Sequence, residues 1–325
     1  MASELERALF GEVNAAAIRS QLDDFCRRHL GVGIRLVTFH RISVASVRGV
    51  MLDDGSRAVI KVHRPEFAHH LEAVQTIQRH LAGSSFPCPR PLAGPAPIGN
   101  GVATIESMLE AGSMGDAHEP AVRQLLAQGL RELVSECHPL VGSVDPGPFW
   151  LLAGDQQWPI PHDVRFDFVR TALGAEWIDR LAAEARDRLR SAAGRMVIGH
   201  VDWRVENLRI EKEAITAVYD WESLRLLPEP VLVGAVAHAF TASWDATSPF
   251  EIPTLAESAA FIADYERARG APFDARELDA ADAAHVYTLA YGARCQHSDA
   301  VLKIFGEASE EDGYISHLRE RARRA

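Results

Sequence analysis

The sequence predicts an α+β protein in two lobes: a small antiparallel sheet at the N-terminal end and a larger, mostly helical C-terminal part. Three observations predict it. Short β-branched apolar stretches crowd the region before Pro65, and Asp54-Gly55 between two of them is a strong hairpin signal. From about residue 120 the apolar spacing is helical almost throughout. One strand-rich insert, MVIGHVDWRVENLRIEKEAITAVYDWES at 196–223, interrupts the helices and carries the densest polar chemistry. The boundary is expected at the strand end near Met108–Gly112, dividing the chain into 1–108 and 109–325.

Taken in order, residues 3–30 read as one amphipathic helix, opened by Ser3 with Glu6 as a capping box and closed by Gly31 and Gly33. RLVTFHRI at 35–42, SVRGVML at 46–52 and RAVIKV at 57–62 read as strands, the last stopped by Pro65. Residues 66–82 return to helical spacing. The proline-rich SSFPCPRPL at 84–92 is extended, because a residue preceding proline avoids the helical region. GVATIESML at 101–109 is a further strand, and helices are expected over 120–137, 175–193, 255–269 and 275–297.

Composition narrows the function classes. Hydrophobic residues at 47% and charged residues at 24% are those of an ordinary globular protein. A formal charge of -11 argues against a nucleic-acid binder, which would show a basic face, and is compatible with a cationic ligand. Cys26, Cys88, Cys137 and Cys295 are far apart, which suggests neither a disulfide framework nor a zinc site. The charged opening MASELERALFGEV is unlike a signal peptide. The longest apolar run, VLVGAVAHAF at 231–240, falls short of the roughly 18 residues of a membrane span and reads as a buried helix. The expectation is a cytoplasmic protein without nucleic-acid or membrane partners.

The strongest local signal is His200-Val201-Asp202-Trp203-Arg204-Val205-Glu206-Asn207, of the form H-x-D-x-x-x-x-N, followed 13 residues after Asn207 by Asp220 in AVYDWES. Glu211-Lys212-Glu213 is placed to turn a hairpin between them. Phosphoryl transfer asks a protein for a carboxylate that receives the proton of the attacking hydroxyl, oxygen ligands for magnesium and positive charge at the phosphates. Asp202 suits the first task, and Asn207 with Asp220 the second, since Mg2+ prefers oxygen ligands and shares the triphosphate. Lys61, in a strand otherwise built of Ala58, Val59, Ile60 and Val62, needs a charged partner, and a triphosphate is one.

HVDWRVENL with YDWES resembles the catalytic loop and metal-binding segment of aminoglycoside phosphotransferases and related small-molecule kinases. DWRVEN is also similar to the D-L-K-P-E-N of protein kinases. The resemblance implies a protein-kinase-like bilobal fold that moves a phosphoryl group from ATP or GTP, with Mg2+, to a hydroxyl of a small molecule such as an antibiotic or a metabolite. It implies that Arg204 faces phosphate, that Lys61 anchors the nucleotide and that His200 only supports its loop. Glu72 is then the candidate partner of Lys61, with a solvent-facing Glu72 as the alternative. Ser43 and Ser46, in the turn at 42–46, are candidates to cover phosphate, with a plain β-turn as the alternative. The strand at 103–109 would be the hinge beside the nucleobase.

The sequence departs from the family pattern at three points. Val201 stands where a glycine is usual, PEPVLVGAVA lacks a downstream aspartate, and the spacing after Glu72 is longer by about two residues. A catalytically degenerate nucleotide-binding module is therefore the competing reading, against which stand Lys61, Asp202, Asn207 and Asp220, all present. A hydrolase built on Asp202 and His200 lacks a nucleophile motif such as G-x-S-x-G. Asp264, Glu266, Asp282 and Asp299 are either a face for a cationic substrate or solvated helix surface. Tyr287, Tyr291 and Trp244 either line a pocket or pack the core.

Overall fold

The computed structural model describes residues 3–11, 14–163, 165–243, 252–304 and 313–324. They form two compact units, one of residues 1–110 with 144–146, the other of 111–143 with 147–325.

In the first unit, helix α1 (Glu4–Phe10) carries the expected capping box of Ser3 and Glu6. It stops at Gly11, whose φ of 83° suits glycine. A second helix, α2 (Ala15–Leu30), starts anew with the Asn14 side chain as cap and ends at left-handed Gly31. The single helix expected over 3–30 is therefore two, because the spacing continues across Gly11 while the backbone does not. Strands β1 (Ile34–Ile42), β2 (Ser46–Leu52) and β3 (Arg57–His63) follow. Between the last two, Gly55 adopts φ 87° and the Asp54 carboxylate accepts from the N–H and hydroxyl of Ser56.

Helix α3 (Ala68–Gly83) then leads to β4 (Pro91–Ile98) and β5 (Gly101–Ser107). All neighbours in the sheet run antiparallel, in the order β1-β2-β3-β5-β4. Strand β4 was not legible as a strand. Its Pro91, Pro95 and Pro97 lack N–H donors, and only an edge strand tolerates that. Alternation along the strands turns Ala58, Ile60 and Val62 toward a core shared with Leu9, Phe10, Ile18, Leu22 and Phe25 of α1 and α2. Val59, Lys61 and His63 consequently face the other side, toward α3.

In the second unit, α4 (Pro120–Cys137) and α5 (Glu176–Leu189) precede β6 (Met196–His200), the hairpin β7 (Leu208–Glu211) and β8 (Ala214–Val218), and β9 (Leu224–Pro228), which pairs with β6. Lys212 and Glu213 turn the hairpin with φ of 50° and 63°, the two positive values that a type I′ turn requires. Helices α6 (Glu229–Ala237), α7 (Leu255–Arg269), α8 (Ala275–Leu302) and α9 (Gly313–Arg324) complete it. Every residue of α6 is buried, each full burial of a Val or Leu contributing roughly 1.5–3 kcal/mol. Gly234 lets α6 meet α8, since a Cβ there would lie 2.0 Å from the Ala281 carbonyl oxygen. Among the described residues no helix is long and apolar enough to cross a membrane.

Candidate active site

β6 delivers the 200–207 loop, and the β7–β8 hairpin brings the chain back beside it. Val201 N–H donates to the Ser223 carbonyl at 3.0 Å, and Tyr219 N–H donates to the Asn207 carbonyl at 2.8 Å. His200, fully buried, places its Nε2 2.9 Å from the Tyr219 carbonyl and lies edge-on to Trp203 and Trp221. It joins the two motif halves and has no exposed face to offer a substrate. The Trp203 indole N–H donates to the Leu126 carbonyl of α4 at 2.9 Å, and Val205 N–H donates to the Phe240 carbonyl at 2.9 Å. These bonds tie down the loop that lacks the downstream aspartate. Val201 has no positive φ, so replacing the usual glycine costs no backbone strain.

Within this frame four side chains, Asp202, Arg204, Glu206 and Asn207, are linked by contacts. Asn207 Nδ2 donates to Asp202 Oδ2 at 2.8 Å and to the Asp202 carbonyl at 2.9 Å. Arg204 Nε is 2.9 Å from Asp202 Oδ1, and its Nη1 is 2.9 Å from Glu206 Oε2. Burial opposes the Arg204 charge, but Asp202, Glu206, Tyr314 and Asp220 outweigh it and hold the guanidinium above its ordinary range. The Arg204 side chain is 12% accessible and that of Asp202 36%, so the carboxylate is open while the cation behind it is enclosed.

Asp220 takes the left-handed conformation, φ 57° and ψ 46°, which costs a non-glycine residue of order 1 kcal/mol. The Ser223 hydroxyl donates to its Oδ2 at 2.8 Å and Ser223 N–H to its carbonyl at 2.9 Å, which fixes that geometry. Asn207 spends its amide N–H groups on Asp202, leaving its Oδ1 as an acceptor, and Asp220 adds a carboxylate. This hard-oxygen pair suits magnesium, which takes one or two protein ligands and completes its shell with phosphate and water. Among the described residues no group of three or more His, Cys, Asp and Glu forms an all-protein metal cage.

In the first unit, Lys61 Nζ is 3.0 Å from Glu106 Oε1 on β5, with both side chains almost enclosed. Gln78 Nε2 of α3 donates to Glu106 Oε2 at 3.1 Å. The expected partner Glu72 instead lies on the exposed side of α3, three residues before buried Gln75, so it is corrected to a surface residue. Ser43 sits exposed in the β1–β2 turn, its N–H donating to the Ala45 carbonyl at 3.0 Å. Ser46 is a second correction. It pairs with Val62 on the core face, is fully buried, and its Oγ accepts from Arg48 Nη1 at 2.6 Å, while Arg48 pairs with Glu6. Its hydroxyl is spent on the core side of the sheet and is not presented to phosphate.

Glu106, Gln78 and Glu206 were missed by sequence reasoning. Glu106 carried the same signal as Lys61, a lone charge in an apolar strand, and Glu206 lies inside the motif itself.

The acids considered for a cationic substrate are committed elsewhere. Asp264 pairs with Arg123 at 2.8 Å and with Arg267. Asp282 pairs with Arg188 at 2.9 Å and Arg321 at 2.7 Å, Glu266 accepts from Phe273 N–H at 2.7 Å, and Asp299 is fully buried. Tyr287 is bonded to the Gln157 carbonyl at 2.6 Å and Tyr291 to His162 at 2.8 Å, so both fasten the 150–168 segment onto α8. Trp244 lies outside the described residues. His238, at the end of α6, is held down to about 4 by burial, and feels both Asp202 and Arg204. A neutral imidazole therefore belongs to the surroundings of the site.

Residues 41–281 match the phosphotransferase enzyme family. No curated protein matches the sequence. Among solved structures, the chain is similar to an ethanolamine kinase of Plasmodium vivax, with 12% identity, TM-score 0.58, and 99% of this chain and 92% of that one covered. It is similar to a thermostable mutant of aminoglycoside phosphotransferase APH(4)-Ia in ternary complex with ADP and hygromycin B, with 14% identity, TM-score 0.54, and 94% and 97% covered. It is also similar to macrolide 2'-phosphotransferase MphH from Brachybacterium faecium, with 16% identity, TM-score 0.52, and 91% and 97% covered. At these identities the likeness is one of fold.

Proposed function

The chain belongs to the phosphotransferase enzyme family, and from that premise we propose that it moves the γ-phosphoryl group of ATP to a hydroxyl of a small molecule, with magnesium. The observation that carries the reading is the contact of Asp202 with Asn207 and Arg204 in a loop tied to Asp220 through Tyr219. A degenerate nucleotide binder would have no need to keep an open carboxylate against an enclosed guanidinium.

Each residue then has a part. Asp202 receives the proton of the attacking hydroxyl, its carboxylate aimed by the Asn207 amide. Arg204 stays ionised and stabilises charge that spreads over the transferred group. Asn207 Oδ1 and the Asp220 carboxylate would hold the magnesium, which when bound compensates the charge of the triphosphate. Lys61 contributes an ammonium to the nucleotide phosphates. ATP is favoured because the fold relative above was crystallised with ADP, and a hydroxylated antibiotic or metabolite is the acceptor class.

The test is a screen of hydroxylated antibiotics and metabolites with ATP and magnesium, reading acceptor-dependent ADP release and the phosphorylated product by mass spectrometry. Turnover with one acceptor class, absent without magnesium, supports the reading. ATP hydrolysis equal with and without every acceptor contradicts it.

A further inference from the structure

The nucleotide lysine of this chain is held by its own sheet. Lys61 pairs in register with Thr104, and Val59 with Glu106, so Lys61 and Glu106 project from the same face of neighbouring strands, one diagonal step apart. Their charged ends meet at 3.0 Å, with side chains 9% and 10% accessible. Helix α3 approaches that face with two neutral amides one turn apart, both 2% exposed. Gln78 donates to the second oxygen of Glu106, and Gln75 donates to the Ala93 carbonyl of β4 at 3.0 Å. The helix thus presents an amide where its partner is a carboxylate, while its own Glu72 points to solvent.

We propose that Glu106 is the positioning residue for Lys61 and that Gln78 orients Glu106, so that the ion pair is assembled within the sheet and the helix contributes only an uncharged donor. This rests on reading Lys61 as the residue that meets the nucleotide phosphates. A flexible four-carbon stem carries the ammonium, and a nearly enclosed ammonium keeps its charge and its direction only beside a counter-charge. Oε1 of Glu106 supplies that counter-charge. Oε2 is occupied by Gln78, which stops the carboxylate from rotating away. Because both charges sit on paired strands, their separation is set by strand register, and a shift of α3 leaves Lys61 paired.

Four variants of the full chain test this, each titrated calorimetrically with a non-hydrolysable ATP analogue in magnesium and checked by thermal denaturation. Lys61→Ala and Glu106→Gln should each weaken nucleotide binding by about tenfold or more, because an enclosed charge loses its partner or is lost itself. Gln78→Ala should weaken it by less than either of these, because it removes an uncharged donor and leaves the Lys61–Glu106 charge pair in place. Glu106→Gln combined with Gln78→Glu returns a carboxylate to the same spot from the helix side and should recover most of the loss, which a merely structural role for Glu106 would not produce. Wild-type affinity in Glu106→Gln, or a double variant no tighter than Glu106→Gln, would overturn the assignment. Wild-type affinity in Lys61→Ala would overturn the reading of Lys61 itself and the proposal with it.

Discussion

Replacing Asp202 by Asn changes one oxygen to an amide nitrogen and separates the proton acceptor from the scaffold that holds it. Asn207 Nδ2 retains an oxygen to donate to, and its second bond, to the Asp202 carbonyl, is untouched. Arg204 loses the Asp202 carboxylate and keeps Glu206 at 2.9 Å. Hydrogen bonds to charged groups contribute about 1.5–3 kcal/mol, but the Asp202 side chain is 36% accessible, so solvent screening reduces the loss to about 1 kcal/mol. For a chain of this size that lowers Tm by about 2 °C. Removing a general base costs a factor of 10²–10⁴, so turnover should fall on the order of a hundredfold or more while magnesium-dependent nucleotide binding persists. Steady-state ADP release with a working acceptor, calorimetry and a thermal melt read the three effects separately. A variant that keeps more than about a tenth of its turnover, far above the range for a lost base, refutes the role of Asp202. A loss of nucleotide affinity parallel to the loss of turnover refutes the division of labour.

Two further outcomes follow from the same geometry. Arg204→Ala should lower kcat more than it raises KM for the acceptor, because the guanidinium acts on charge that develops during transfer; an unchanged kcat with a lowered Tm would assign Arg204 to the loop's architecture instead. Trp203→Phe removes the indole bond to the Leu126 carbonyl and part of a fully buried ring, costing about 2–4 kcal/mol and several degrees of Tm. An unshifted melt would show that α4 does not anchor the loop.

Sequence patterns exposed what is local. The capping box at Ser3, the turn at Gly55, the hairpin at Lys212-Glu213 and the whole of the 200–207 loop depend on residues a few positions apart, and all stand in the structure. What failed was nonlocal or masked by composition. Proline content hid β4, because only its place at the sheet edge makes those residues tolerable. Lys61 announced itself as a charge in an apolar strand, yet its partner lies 45 positions away on β5 and is fixed by strand pairing that no short-range pattern reveals. The expectation of Glu72 followed a family habit, whereas the helical period of α3 sets that residue in the exposed stripe with Thr76 and Arg79 and leaves Gln75 and Gln78 buried beside it. Ser46 was misplaced for a related reason. Its register opposite Val62 puts the hydroxyl on the core face, where Arg48 takes it up.

The central claim is that Asp202 serves the acceptor and Asp220 the metal, and the most direct measurement is nucleotide affinity of Asp220→Asn with and without magnesium. Asp220 is held in a left-handed conformation that Asn tolerates as well as Asp does, so the substitution removes charge and little else. Titration of the wild type, Asp202→Asn and Asp220→Asn with a non-hydrolysable ATP analogue should show magnesium tightening binding to the first two by a similar factor and to Asp220→Asn far less. A magnesium response that survives in Asp220→Asn and disappears in Asp202→Asn would contradict the account.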